Sequence, residues 1–95
     1  MERKVTIYGS DYCPDTVEAK DLFEKNKVEY DYVDISSGTA PLAKFLKIRD
    51  TSALFDNIRG KGSIGIPTIE LEGRYYLFGG AEEIQKFIDG NKLSA

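Results

Sequence analysis

Histidine is absent from the 95-residue sequence, and cysteine occurs only once, at Cys13. Without histidine the chain cannot form a Ser-His-Asp triad, a Cys-His pair or a metal site with an imidazole ligand. Without a second cysteine it cannot form an internal disulfide, so its fold does not depend on one. A free thiol of this kind fits a reducing compartment, and we therefore expect a cytoplasmic protein.

Long apolar runs and basic runs are also missing. No stretch is long enough to span a membrane, and Met1–Lys4 leads into a short strand instead of a signal peptide. The net charge of −3 and the lack of a basic run argue against a nucleic-acid partner. The content of 41% hydrophobic and 31% charged residues is typical of a soluble globular protein. The length predicts a single domain, residues 1–95.

The hydrophobic pattern predicts the order β-α-β-α-β-β-α. Strands are predicted at 4–8, 28–35, 68–71 and 75–78, and helices at 14–26, 40–50, 53–59 and 81–89. The first strand, helix and strand form a βαβ unit, whose strands should be parallel. The last two strands should form an antiparallel hairpin around the connection 72–74. Apolar side chains expected to be buried by the helices are Val17, Ala19, Leu22, Phe23, Leu42, Phe45, Leu46, Ile48, Leu54, Phe55, Ile58, Ile84, Phe87 and Ile88.

The single cysteine lies in Tyr12-Cys13-Pro14-Asp15-Thr16, between the first strand and the first helix. Pro14 suits the first helical position, so Cys13 should be the N-cap, where unpaired N–H groups and the helix dipole favour a thiolate. Thr16 would lie one turn later, with its hydroxyl reaching back toward the sulfur. A free cysteine is more often an inert, buried apolar residue. The strand-to-helix junction and the polar neighbours favour a reactive thiol here.

Three features resemble the glutaredoxin branch of the thioredoxin fold. Cys13-Pro14-Asp15-Thr16 stands where that family has Cys-Pro-X-Cys or a single-cysteine variant. Ile66-Pro67 matches the family's cis-proline step, and Gly79–Glu83 resembles its Gly-Gly plus acidic segment. Phe45–Asp50 and Ile64–Pro67 also resemble a subgroup of glutaredoxin-related proteins. The resemblance implies a thioredoxin-like α/β fold, with a four-stranded mixed sheet flanked by helices.

The resemblance also implies a thiol–disulfide oxidoreductase that uses glutathione as cosubstrate. Cys13 would attack the sulfur, with Thr16 in support, and the partners would be glutathionylated proteins or small disulfides. The backbone at Ile66 would receive an extended peptide, and Glu82 or Glu83 would lie near the amino group of the γ-glutamyl end. The residues implied in substrate binding are Tyr12, Pro14, Ile66, Pro67, Gly79, Gly80, Ala81 and Glu82. We expect a monomer.

The sequence departs from the family's dithiol pattern in three places. Thr16 replaces the second cysteine, which leaves only a monothiol mechanism. Ser10 stands where a lysine is frequent, and Asp15 stands where an aromatic residue is frequent. Both changes remove features that attract or pack glutathione. Other cations are candidates to replace the lysine, although ordinary surface charges have the same appearance: Arg49, Arg59 and Lys61.

Two alternative functions belong to other classes. Some monothiol relatives share an iron–sulfur cluster across a dimer, each chain giving one cysteine. That class usually has Cys-Gly-Phe-Ser, and the bulk and charge of Asp15-Thr16 disfavour it, so we expect no metal. The second alternative is a thioredoxin-fold adaptor that has lost redox chemistry. The colour of the purified protein tests the cluster, and an unreactive Cys13 would favour the adaptor.

Overall fold

The computed structural model describes residues 4–94. The first three residues of Met1–Lys4, the stretch expected to lead into the first strand, lie outside the described residues. Its elements are β1 (Val5–Gly9), α1 (Pro14–Lys25), β2 (Asp31–Asp34), α2 (Thr39–Thr51), a 3-10 turn (Ala53–Phe55), α3 (Asp56–Arg59), β3 (Thr68–Leu71), β4 (Arg74–Tyr76) and α4 (Ala81–Gly90). The predicted order of strands and helices is confirmed. Within the described part of the chain, no helix has both the length and the apolar character needed to cross a membrane.

The four strands form one mixed sheet in the order β2-β1-β3-β4. β1 is parallel to β2 and antiparallel to β3, and β3 is antiparallel to β4, as predicted. Gly9 pairs with Asp34 and Tyr8 with Thr68. One edge of the sheet, which we call the Gly9 edge, is therefore where β1, β2 and β4 end and β3 begins.

Side chains on the two faces of the sheet build two separate cores, because successive residues of a strand point to opposite faces. On one face Val5 and Ile7 pack with α1 and α4, whose buried contributions are Ala19, Phe23, Ile84, Phe87 and Ile88. On the other face Tyr8 packs with three buried residues, Ile35, Phe45 and Phe55. The prediction that these helical residues are buried is therefore confirmed.

Helix α2 buries less than the sequence predicts. Phe45 is fully buried and Ile48 packs against the same core, but Leu42 and Leu46 are each 37% exposed. The reason is geometric, because Phe45 and Ile48 define the face of α2 that packs on this core, and Leu42 and Leu46, four residues apart, both lie on the flank of that face. Val17 and Leu54, also predicted to be buried, are exposed by 40% and 42%.

Strand β2 begins at Asp31, three residues later than predicted. The alternating pattern before it has another cause, which is packing against α1. The Val28 N–H donates to the Phe23 carbonyl at 2.8 Å, and the Tyr30 ring meets the Phe23 ring edge-on at 5.7 Å. Alternation of polar and apolar residues therefore extends beyond the paired strand.

The β3–β4 hairpin is tighter than predicted. Glu72 and Gly73 both have positive φ, 52° and 81°, as a two-residue turn of the mirror-image type requires. Arg74 consequently pairs with Leu71 and belongs to β4 instead of the connection. β4 also ends earlier than predicted, and Phe78 packs on Phe87 with ring centroids 5.1 Å apart.

Candidate functional site

The Gly9 edge brings together three segments that the sequence singled out. Cys13 follows β1 along the chain, Ile66-Pro67 precedes β3, and Gly79-Gly80 follows β4. Because β3 begins where β1 and β4 end, all three segments lie at this edge. Residues that are up to 67 positions apart in the sequence thus share one end of the sheet.

Cys13 is the N-cap of α1, as predicted. Its backbone is extended, with φ −100° and ψ 115°, and Pro14 is the first helical residue. The Cys13 N–H donates to the Ser10 carbonyl at 2.9 Å, while the Cys13 carbonyl accepts from the N–H of Thr16 at 3.0 Å and of Val17 at 3.2 Å. The thiol is half-buried, between an exposed Tyr12 and an exposed Pro14. A sulfur in this position is held by backbone geometry and stays open to an incoming disulfide.

The backbone of Ile66 lies beside the thiol of Cys13. The Ile66-Pro67 peptide bond is cis, as predicted, and the Cys13 Sγ lies 3.9 Å from the Ile66 carbonyl oxygen. Gly65, just before, has φ +96°, and a Cβ there would lie 2.9 Å from the Phe55 ring. The segment beside the sulfur therefore packs at Gly65 against the buried ring of Phe55.

The Thr16 hydroxyl does not support the sulfur, and this corrects the sequence-based interpretation. The Thr16 side chain is fully buried, and its Oγ1 accepts a hydrogen bond from the Ser10 N–H at 3.4 Å. Across residues 4–94 no hydrogen bond joins Thr16 to the thiol of Cys13. A Cβ on Gly9 would lie 2.5 Å from Thr16 Cγ2, so Thr16 packs beneath the end of β1. Thr16 therefore holds the loop before Cys13.

We expect Thr16→Val to reduce stability and leave the thiol unaffected. The buried Ser10 N–H would lose its acceptor, which should lower the free energy of unfolding by about 1–3 kcal/mol. Denaturant unfolding measures this loss, and Thr51→Val, which removes an exposed hydroxyl, is the matched control. The alkylation rate of Cys13 should change by less than about twofold, and a fall of about fivefold or more would show that the hydroxyl supports the sulfur after all.

Ser10 organises the loop before the thiol with its hydroxyl. Its Oγ donates to Ser36 Oγ at 3.0 Å and accepts from the Tyr12 N–H at 3.2 Å. The Ser36 hydroxyl in turn donates to an Asp34 carboxylate oxygen at 2.5 Å. The loop before the thiol is thereby tied to the end of β2. Sequence reasoning missed this role, because nothing along the chain pairs residue 10 with residue 36.

A second brace joins the same loop to α1 and β2. Lys20 Nζ lies 2.9 Å from Asp11 Oδ1 and 4.0 Å from the centre of the Tyr32 ring. The Tyr32 hydroxyl donates to the same oxygen at 3.0 Å. The hydrogen bond from Lys20, followed by that from Tyr32, holds the pKa of Asp11 below its usual range. Burial, and then the bond to Asp11, raises the pKa of Tyr32. The Lys20 charge is therefore matched by Asp11.

Two of the candidate cations bind backbone carbonyls. Arg49 donates from Nε to the Ile64 carbonyl at 2.8 Å and from Nη2 to that of Ser63 at 2.6 Å. Arg59 donates from Nη1 to the Arg49 carbonyl at 2.7 Å, and also pairs with Asp56. They are neither solvated surface charges nor free replacements for the missing lysine. The third candidate, Lys61, is exposed in the loop between α3 and β3.

The segment that opens α4 contains its own carboxylate cap. Gly80 is the N-cap and Ala81 the first helical residue. The Gly79 N–H donates to Glu83 Oε2 at 2.9 Å, whereas Glu82 is exposed and lies 3.6 Å from Lys86 Nζ. Of the two acids that the sequence suggested for a ligand amino group, Glu83 is held by backbone and Glu82 faces solvent.

Comparison with known proteins decides the family. The glutaredoxin family model matches residues 5–75, which include Cys13 and Ile66-Pro67. This chain is a member of the glutaredoxin family. An uncharacterised protein of Haemophilus influenzae is 35% identical over 68 residues, which cover 72% of this chain and 79% of that relative. The family match ends before Gly79.

Solved glutaredoxins share the fold. A glutaredoxin from Archaeoglobus fulgidus aligns with a TM-score of 0.63 and 19% identity, over 92% of this chain and 86% of its own. Buckwheat glutaredoxin, solved as a glutathione complex, aligns with a TM-score of 0.61 and 16% identity, over 93% of this chain and 71% of its own. Glutaredoxin 1 from Francisella tularensis, solved with cacodylate, aligns with a TM-score of 0.55 and 26% identity, over 97% of this chain and 98% of its own. The predicted thioredoxin-like fold is therefore confirmed.

No group of three or more histidine, cysteine, aspartate or glutamate side chains between residues 4 and 94 is arranged to hold a metal ion. The chemistry that the described site can support is that of one thiol, half-exposed at a helix N-terminus.

Proposed function

We propose that this glutaredoxin is a thiol–disulfide oxidoreductase that removes glutathione from mixed disulfides through Cys13 alone. The observation that carries the proposal is the position of the sulfur, half-exposed at the N-cap of α1 and 3.9 Å from the backbone of Ile66. An incoming disulfide can approach that sulfur while its peptide backbone runs beside Ile66. Membership of the glutaredoxin family supports the same chemistry.

The proposed reaction is a pair of disulfide exchanges. The Cys13 thiolate attacks the glutathionyl sulfur of a mixed disulfide, a new Cys13–glutathione disulfide forms, and the substrate leaves as a thiolate that takes up a proton. The thiolate of a second glutathione then attacks the glutathionyl sulfur on Cys13. Oxidised glutathione leaves and the Cys13 thiolate returns. Two electrons pass from glutathione to the substrate, and no second cysteine is required.

Glutathione is proposed to lie between two backbone segments at the Gly9 edge. Ile66 and Pro67 would flank its cysteinyl part, together with Tyr12 and Pro14. Gly79–Glu82 would hold its γ-glutamyl end, with the solvent-facing Glu82 near the amino group. The glutathione complex of the buckwheat relative supports this ligand. We also propose a cytoplasmic monomer, since a reducing compartment supplies glutathione and keeps Cys13 free.

Steady-state kinetics with a glutathionylated peptide and reduced glutathione test this proposal. The two exchanges are separate half-reactions. Plots of reciprocal rate against reciprocal peptide concentration, measured at several fixed glutathione concentrations, should therefore give parallel lines. Intersecting lines would indicate that both thiols must bind before exchange begins. Absence of turnover, in protein whose Cys13 is titrated as free, would favour the redox-inactive adaptor. A coloured, dimeric preparation would favour the shared iron–sulfur cluster.

A further inference from the structure

Large apolar side chains are exposed around the thiol. Three of them lie close to Cys13 or Ile66 along the chain: Tyr12 is 90% exposed, Ile64 56% and Val17 40%. Tyr12 directly precedes Cys13, and the Val17 N–H bonds to the Cys13 carbonyl. Ile64 lies two residues before Ile66, on the segment that touches the sulfur, and Arg49 holds its carbonyl. We call these three side chains the apolar rim.

Negative charge accompanies the apolar rim. Asp15 and Glu18 are exposed on the first turns of α1, and within residues 4–94 neither is paired with a cation. The neighbouring cation Lys20 is held by Asp11 at 2.9 Å. Arg49 donates its Nε and Nη2 groups to backbone carbonyls. The first turns of α1 after Cys13 therefore present apolar and acidic side chains, while Lys61, three residues before Ile64, is an exposed cation of the loop between α3 and β3.

We propose that the substrates of this site are glutathionylated peptide segments whose residues next to the modified cysteine are apolar and basic. The inference rests on the proposed function and adds to it the kind of peptide that leaves as a thiolate in the first exchange. The glutathionyl half is common to all such substrates, so discrimination must come from the peptide half. Apolar neighbours of the cysteine bury area against Tyr12, Val17 and Ile64. Basic neighbours are attracted by Asp15 and Glu18, whereas acidic neighbours are repelled.

Three glutathionylated peptides of equal length separate the two contributions. One carries leucine and lysine beside the cysteine, the second leucine and glutamate, and the third serine and glutamate. The expected order of kcat/KM is the order given, with about threefold to tenfold between the first and second at low salt. That ratio should shrink as sodium chloride shortens the screening length.

Matched variants assign the effect to residues. Asp15→Asn with Glu18→Gln should remove most of the preference for lysine over glutamate. Tyr12→Ser should reduce the preference for leucine over serine. The control is Asp21→Asn with Glu29→Gln, which also removes two exposed carboxylates. Asp21 lies about 12 Å farther along α1 than Cys13, and Glu29 precedes β2 at the opposite edge of the sheet, so the control should keep the preference.

The outcomes distinguish this inference from the proposed function. Equal rates for the three peptides, or a preference for glutamate, would overturn the inference and leave the exchange chemistry intact. The same would follow if the control variant lost the preference as fully as the Asp15 and Glu18 variant. If none of the peptides released its thiol, the proposed function would be overturned, and the inference with it.

Discussion

Cys13→Ser is expected to lower the turnover of a glutathionylated peptide to the uncatalysed background. Cys13 is the only cysteine in the chain, and a serine oxygen cannot form the mixed disulfide that links the two half-reactions. The measurement is the initial rate of thiol release at fixed reduced glutathione. A dithiol relative could retain partial exchange through a second cysteine, but this chain has none.

The fold provides the control for this variant. The hydrogen bonds that fix residue 13 are made by its backbone, and its side chain is half-buried, so serine should fit. The free energy of unfolding should change by about 1 kcal/mol or less. A folded Cys13→Ser protein that kept measurable turnover would require a nucleophile other than the thiol and would contradict the mechanism.

Gly65→Ala is expected to cause a large loss of stability, about 2–4 kcal/mol. Gly65 has φ +96°, and an added Cβ would lie 2.9 Å from the Phe55 ring. Phe55 cannot move aside easily, because it is fully buried and packs edge-on against Phe45 at 6.1 Å. Denaturant unfolding measures the loss. Turnover should fall as well, since Gly65 leads directly into Ile66, which lies beside the sulfur.

Two nearby glycines separate backbone strain from the clash with Phe55. Gly62 has φ +74° but nothing within 4 Å of an added Cβ, so Gly62→Ala should cost only about 1 kcal/mol. Gly60 has φ −83° and open space, so Gly60→Ala should change stability by about 0.5 kcal/mol or less. Equal losses at positions 62 and 65 would show that the contact with Phe55 contributes nothing.

The local features of the fold could be predicted because their causes lie close together in the sequence. Pro14 and Gly80 mark the starts of α1 and α4, and the βαβ pattern implies parallel strands. Cys13 at a helix N-cap follows from the same local rules. Where a prediction failed locally, as at Glu72-Gly73, the positive φ of a non-glycine residue in the turn gave no distinct signal.

The contacts that hold the site could not be predicted, because they join residues that are distant in sequence. Thr16 looks like a partner for the sulfur when only its spacing from Cys13 is considered. Its packing beneath Gly9 depends on how α1 meets the end of β1. In the sequence Arg49 looks like an ordinary surface cation, yet its side chain binds the carbonyl of Ile64, 15 residues away. Such roles depend on tertiary packing, which periodicity does not report.

Intact mass after incubation with oxidised glutathione is the direct test of disulfide exchange at Cys13. We expect one glutathionyl adduct per chain, located on Cys13 by peptide mapping and removed by reduced glutathione. Cys13→Ser should stay unmodified under the same conditions. If the wild-type protein also stayed unmodified, while a small alkylating reagent labelled Cys13 readily, the thiol would be accessible and yet unable to exchange with glutathione disulfides. That result would contradict the proposed oxidoreductase function.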